Sequence, residues 1–217
     1  MNRIISVKGT GNVSVAPDMT TVSMTLRTLD RDYEKSMSSA AEQLSSIRSA
    51  LQSAGFTKED IKTTSFNVIT EHESVRDENG NYKTVFSGYA VIQGLKIEFG
   101  FDTERLSKIL NATAKSMADP DISINFTVKD KDAVNEKLLT SAAENARAKA
   151  AVLASSSGVK LGKLISIHYN WTERDYLSRT EYGMDKRCMA MNASAKMDFT
   201  PDDISVSDSA TFIWEIV

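Results

Sequence analysis

Apolar and polar residues alternate along TTVSMTL, with Val22, Met24 and Leu26 on one side and Ser23 and Thr25 on the other. A period of two predicts a half-buried strand. IISVKGTGNVSV before it is also strand-like, with Val13 and Val15 in step, and Pro17-Asp18 separates the two runs as a turn. Further strands are predicted through Phe66 and Val68, from Ile122 to Val128, and at Ile165, Ile167, Tyr169 and Trp171. A long strand places Tyr89, Val91, Leu95, Ile97, Phe99 and Phe101 on one face, interrupted by Gln93, with Gly88, Gly94 and Gly100 as expected bends or bulges. Asn79-Gly80 signals the hairpin turn before it. In the last strand Ile204, Val206, Ala210, Phe212, Trp214 and Ile216 all occupy even positions.

Three stretches carry the helical period instead. Tyr33, Met37, Ala40, Leu44, Ile47, Leu51 and Ala54 recur at steps of three and four, after a capping Asp30 or Asp32 and before Gly55. A second helix follows Asp102, with Leu106, Ile109, Leu110, Thr113 and Met117 inward, and stops at Asp119-Pro120-Asp121. The third is capped by Asp130 or Asp132, ends at Gly158, and has seven alanines among the thirteen residues Ala142 to Ala154. Its expected inward stripe is Leu139, Ala143, Ala146, Ala150, Leu153 and Ser157. Small side chains there would let the helix backbone sit unusually close to a sheet or another helix, where dispersion contacts accumulate.

Between Thr172 and Pro201 the pattern dissolves into a polar, Met-rich segment read as a long loop or arm. The order β-β-α-β-β-α-β-α-β-loop-β predicts an α+β fold, an antiparallel or mixed curled sheet with helices packed on one face. A chain of 217 residues suits one domain or two intimately packed halves, and residues 1–217 are taken as a single domain.

Composition narrows the function classes. At 41% hydrophobic and 25% charged the chain is an ordinary globular one. A net charge of −3 argues against a dedicated nucleic-acid or anionic-membrane binder. No segment reaches the roughly 20 apolar residues of a membrane helix. The N-terminal MNRIISVKGTGNVSV lacks a signal-peptide apolar run, so the expected compartment is cytoplasmic, or the periplasm or cell envelope if a leader was removed.

Candidate chemistry is sparse. The single cysteine, Cys188, excludes an intrachain disulfide and follows Lys186 and Arg187, cations that favour a thiolate. Met184, Met189 and Met191 lie near it, so this group is the candidate redox-sensitive set; soft sulfurs also hold Cu(I). The plainer reading makes these sulfurs apolar filler on an arm that docks onto a neighbour, for which Tyr176, Tyr182 and Met197 are the candidate contacts. Gly9-Thr10-Gly11 is half a phosphate-loop fingerprint, but a strand follows where a helix is required, so a bulge or twist is expected. His72 lies between Glu71 and Glu73, which point to the opposite strand face, and reads as a surface histidine; His168 reads as exposed or at an interface. No nucleophile, base and acid set is visible, and no catalytic residue, metal or cofactor is expected.

ISVKGTGNVSVAPDMTTVSM (5–24), AGFTKEDIKTTSFNV (54–68), YAVIQGLKIEFGFDTERLSKIL (89–110), AAENARAKAAVLASSSGVKLGKLISI (142–167) and ISVSDSATFIWEI (204–216), in this order, resemble the SIMPL-domain family, also called DUF541. The resemblance covers nearly the whole chain. The family includes bacterial periplasmic immunogenic and oxidative-stress-associated proteins and an animal partner of an innate-immune kinase. Resemblance implies an α+β fold and, in some members, large ring-like oligomers; it implies no catalytic residues. The Met-rich arm around Cys188 departs from the family pattern, as does the missing leader. The expectation is a non-enzymatic homo-oligomer. The alternatives are an adaptor that binds another protein and a redox-responsive protein acting through Cys188.

Overall fold

The computed structural model describes residues 3–76, 80–116, 118–170, 173–180, 182–184 and 199–217. The elements are β1 (Ile4–Val15), β2 (Met19–Asp30), α1 (Tyr33–Ser53), β3 (Ile61–Arg76), β4 (Tyr82–Gly100), α2 (Thr103–Lys115), β5 (Asp121–Thr127), α3 (Lys131–Ser156), β6 (Leu161–His168), β7 (Tyr182–Met184) and β8 (Ile204–Ile216). The fold is α+β, as the periodicities imply. One element is new: β7 pairs antiparallel with β5, Ile122 opposite Met184 and Ile124 opposite Tyr182, inside the segment read as a loop. Three residues are too few to show a period, so the pattern could not reveal it.

The chain forms two compact units. One comprises Met1–Asp18, Phe126–Thr180 and Pro201–Val217; the other comprises Met19–Asn125 and Glu181–Thr200. In the first, a three-stranded sheet of order β1-β8-β6 carries α3 on one face. β1 and β8 pair antiparallel without a register shift from Ile4↔Glu215 to Val15↔Ile204. The sheet face toward α3 holds Val7, Ala210, Phe212 and Trp214, packed with Ala146 and Ala150.

The buried stripe of α3 is Val134, Leu138, Ala142, Ala146, Ala150 and Ala154. It lies one residue away from much of the expected stripe, and Leu153 is 50% exposed. The glycines of β1 explain the choice. A β-carbon on Gly9 would stand 2.1 Å from the Ala142 carbonyl oxygen, and one on Gly11 would stand 2.0 Å from that of Leu138. The helix backbone therefore lies directly on the strand, with Ala142, Ala146 and Ala150 at steps of four leaving room for it over Gly9. Gly9 and Gly11 do not mark a bulge, because the register through them is continuous; they make room for the helix.

In the second unit the strand order is β3-β4-β2-β5-β7, and α1 packs on β2, β4 and α2. Val22, Met24 and Leu26 of β2, Val91, Leu95, Ile97 and Phe99 of β4, and Ile47, Leu51, Leu106 and Ile109 of the helices are buried. The β3–β4 register slips at Thr63/Ser65 and at Glu71/His72, opposite Gly94 and beside Gly88, so two of the expected bulge glycines mark irregularities. The Asp32 and Asp130 side chains cap α1 and α3. Asp102 caps α2 through two amides, accepting from Glu104 N at 2.8 Å and Arg105 N at 3.0 Å. Asp102→Ala should cost about 1 kcal/mol in urea unfolding, and an unchanged midpoint would show that water replaces the cap without loss.

Candidate functional site

Three neighbouring stripes of α3, each with a four-residue step, meet three different surroundings. The first is Ser141, Asn145 and Lys149. Asn145 Oδ1 accepts from Thr10 N at 3.0 Å, Ser141 Oγ accepts from Asn12 N at 3.4 Å, and Lys149 Nζ donates to Lys8 O at 3.3 Å. These are peptide groups on the side of β1 that faces away from β8. A bare strand edge is a template for another chain, and here the helix side chains occupy it. The second stripe is the alanine seam over Gly9 and Gly11.

The third stripe is Ala143, Arg147 and Ala151, which lines a groove of about 640 Å³ beside β6. The rings of Phe212 and Trp214 also line it, stacked with centroids 5.6 Å apart at 18°. β6 pairs with β8 through register shifts on both sides of Leu164. Alternation along a regular strand would place residues three apart on opposite faces. The two shifts instead put Leu161, Leu164 and Ile167 along the same groove. This is why the alternation expected for Ile165, Ile167 and Tyr169 misplaces the strand: Ile165 and Ile167 are 51% and 53% exposed. Among the described residues β6 has no strand partner on its other edge.

A buried polar cluster lies on β8. Asp208 is 8% exposed and receives both Arg174 guanidinium nitrogens at 2.6 Å, the Tyr169 hydroxyl at 2.9 Å and the Ser209 amide at 2.6 Å. Burial pushes the carboxyl up, but the bonds from Arg174, Ser209 and Tyr169 overcome it and hold the carboxyl below its ordinary range. Burial, and then the bond to Asp208, pushes the Tyr169 hydroxyl up. The cluster has the form of a structural staple: its charges are fully paired and it offers no free acid or base. Pattern reasoning missed it, yet the signal was present, because an aspartate occupies an even position within the buried face of a strand. The arginine partner comes from an aperiodic segment.

Tyr176 is 7% exposed and packs with Val128, Val134 and Ile204, so this candidate arm contact is part of its own unit's core. Beyond it, Ser178 Oγ donates to Asp202 O at 2.7 Å and Asp202 N donates to Thr180 Oγ1 at 2.9 Å. These bonds fasten together the two ends of the Met-rich excursion. Tyr182 and Met184 begin and end β7. Cys188, Met189, Met191 and Met197 lie outside the described residues. His72 is exposed, with its ring edge-on to Phe86 at 5.9 Å, and His168 is exposed beside Ser166. Among the described residues no three His, Cys, Asp or Glu side chains converge as a metal site.

β3 is the other exposed feature. After a buried Ile61 it has no buried residue to Arg76, and Phe66, Ile69 and Val75 are 50%, 45% and 44% exposed. It is an edge strand of its sheet, and Arg27 of β2 pairs with Glu71 over the neighbouring surface.

The model of the SIMPL family, described as a protein of unknown function (DUF541), matches residues 5–214. The chain belongs to the SIMPL family. A 26 kDa periplasmic immunogenic protein of Brucella melitensis is 24% identical over 75% of the chain. The uncharacterised protein YggE of Escherichia coli is 23% identical over 76% of it. Each match spans 65% of the relative's own length. The SIMPL chain has no helix, among the described residues, long and apolar enough to cross a membrane. Its family match begins at Ile5, ahead of the glycines under α3, and ends at Trp214, so it takes in both partners of the helix–sheet seam.

Proposed function

We propose that this SIMPL protein acts by self-association and not by catalysis, as a homo-oligomeric structural protein of the cell envelope or its stress response. The observation that carries the reading is β3: a sixteen-residue edge strand, exposed on both faces and bearing Phe66, Ile69 and Val75. A strand of this length with bare peptide groups and apolar side chains gains by being covered. In the first unit, by contrast, the β1 edge is occupied by α3 side chains. The compartment follows the relatives named as periplasmic.

Light scattering after gel filtration tests this. A mass that is a multiple of 23.9 kDa is expected for the wild type, and Phe66→Lys with Ile69→Lys should reduce it to one chain while leaving the circular dichroism unchanged. A wild-type monomer would overturn self-association and transfer the β3 surface to a different protein, the adaptor reading. Replacing residues 185–198 by a short Gly-Ser link examines the Met-rich arm separately: a lower mass assigns an intersubunit contact to it, and an unchanged mass removes the arm from assembly.

A further inference from the structure

The groove between α3 and β6 is independent of the β3 surface and has a different composition. Its β6 wall is aliphatic, formed by Leu161, Leu164 and Ile167. Leu164 and Ile167 remain 47% and 53% exposed, so the chain leaves this apolar wall uncovered. The helix wall is kept open by Ala143 and Ala151, and among the described residues lining it Arg147 is the charged one. Arg147 makes no hydrogen bond or ion pair among the described residues. Among the described residues no carboxylate lines the groove. Three features therefore coincide: an apolar trough of about 640 Å³, within the size range of small-molecule sites, a pair of stacked aromatic rings, and a cation with no counter-charge among the described residues.

We propose that this groove binds an amphipathic carboxylate, a molecule with an alkyl or aryl tail and one terminal acid. The tail lies along Leu161, Leu164 and Ile167 beside Phe212 and Trp214, and the carboxylate meets the Arg147 guanidinium in a charge-assisted, two-pronged hydrogen bond. Tail burial supplies affinity and the arginine selects the acid over a neutral analogue. The register shifts of β6 now have a reason: they bring three aliphatic side chains to one wall. Four-residue spacing places Arg147 between two alanines, where a longer neighbour would fill the trough.

Decanoate is the probe, with decanol as the neutral comparison, both below their aggregation concentrations and followed by tryptophan fluorescence and calorimetry on the full chain. Decanoate is expected to bind saturably, one per chain. Arg147→Gln should weaken decanoate at least tenfold and leave decanol unchanged, whereas Ala151→Trp, at an exposed helix position, should abolish both. Absence of saturable decanoate binding, or equal binding by Arg147→Gln, overturns the proposal. If Ala151→Trp lowers the molar mass while the wild type binds no decanoate, the groove belongs to a second copy and the proposal also fails. The β3 double variant should bind decanoate like the wild type, so failure of self-association and failure of ligand binding are read separately.

Discussion

Gly11→Ala is expected to destabilise the protein by about 3 kcal/mol or more, the upper end for an added methyl group in a packed interface. The new β-carbon would stand 2.0 Å from Leu138 O, 2.8 Å from Ala142 N and 3.1 Å from Leu138 C. All three are backbone atoms, so no rotamer change relieves the contact and α3 must move as a body. Moving it weakens the Ala142, Ala146 and Ala150 seam and pulls Ser141 and Asn145 from the β1 amides. The control is Gly158→Ala: its φ is +72° and no atom lies within 4 Å of the added carbon. It should cost only the left-handed backbone term, roughly 1 kcal/mol. A second comparison tests the geometry. Ala146→Gly removes a side chain that would stand 2.6 Å from a β-carbon on Gly9 but leaves the backbone atoms facing Gly11. It should therefore ease Gly9→Ala in part and Gly11→Ala not at all. A Gly11→Ala midpoint in urea equal to wild type would mean that α3 does not lie on β1 as described.

The same seam shows what the sequence could and could not disclose. Small residues in α3 announce close packing, and the structure has it. The partner surface was unreadable, because a glycine under a helix and a glycine in a bulge look identical in one strand's sequence; only the register with β8 tells them apart. The expected stripe shares Ala146 and Ala150 with the buried one and departs from it by one residue at Leu139, Ala143 and Leu153, for a related reason. Leu153 is larger than Ala154, so periodicity weighted by hydrophobicity favours it, whereas the buried seam takes Ala154; at the earlier turn Leu138 and Leu139 are alike, and period alone does not choose between them. The three-residue spacing of Leu161, Leu164 and Ile167 fits neither a strand nor a helix, and becomes intelligible only with the register shifts of β6. Where local period and tertiary demand agree, as at Val22, Met24 and Leu26 or Leu106, Ile109 and Leu110, the core was legible directly. The candidate sulfur site stands apart, since Cys188 and three of its methionines lie outside the described residues.

Arg174→Met is expected to cost about 2 to 3 kcal/mol at neutral pH, less than the roughly 3 to 5 kcal/mol for breaking a wholly buried pair, since Arg174 keeps 21% of its side chain exposed. It should also reverse the sign of one pH dependence. In the wild type the folded Asp208 carboxyl titrates below its unfolded value of 3.8. Its contribution is therefore complete above that value and disappears as pH falls through the lower, folded one. Without the guanidinium, burial is opposed only by Ser209 N and the Tyr169 hydroxyl, and the folded carboxyl should titrate above its unfolded value. The protonated form then favours the fold, and that contribution is lost as pH rises through the raised folded value. The stability difference between wild type and Arg174→Met should thus widen steadily as pH rises from about 3 to about 6. Asp208→Asn, which removes the titrating group, should lack this group's contribution to the slope while still losing stability through the unpaired Arg174. Urea unfolding of the three proteins at several pH values separates these outcomes. A wild-type–Arg174→Met gap that stays constant across the acid range would mean that Asp208 is not held ionised by Arg174.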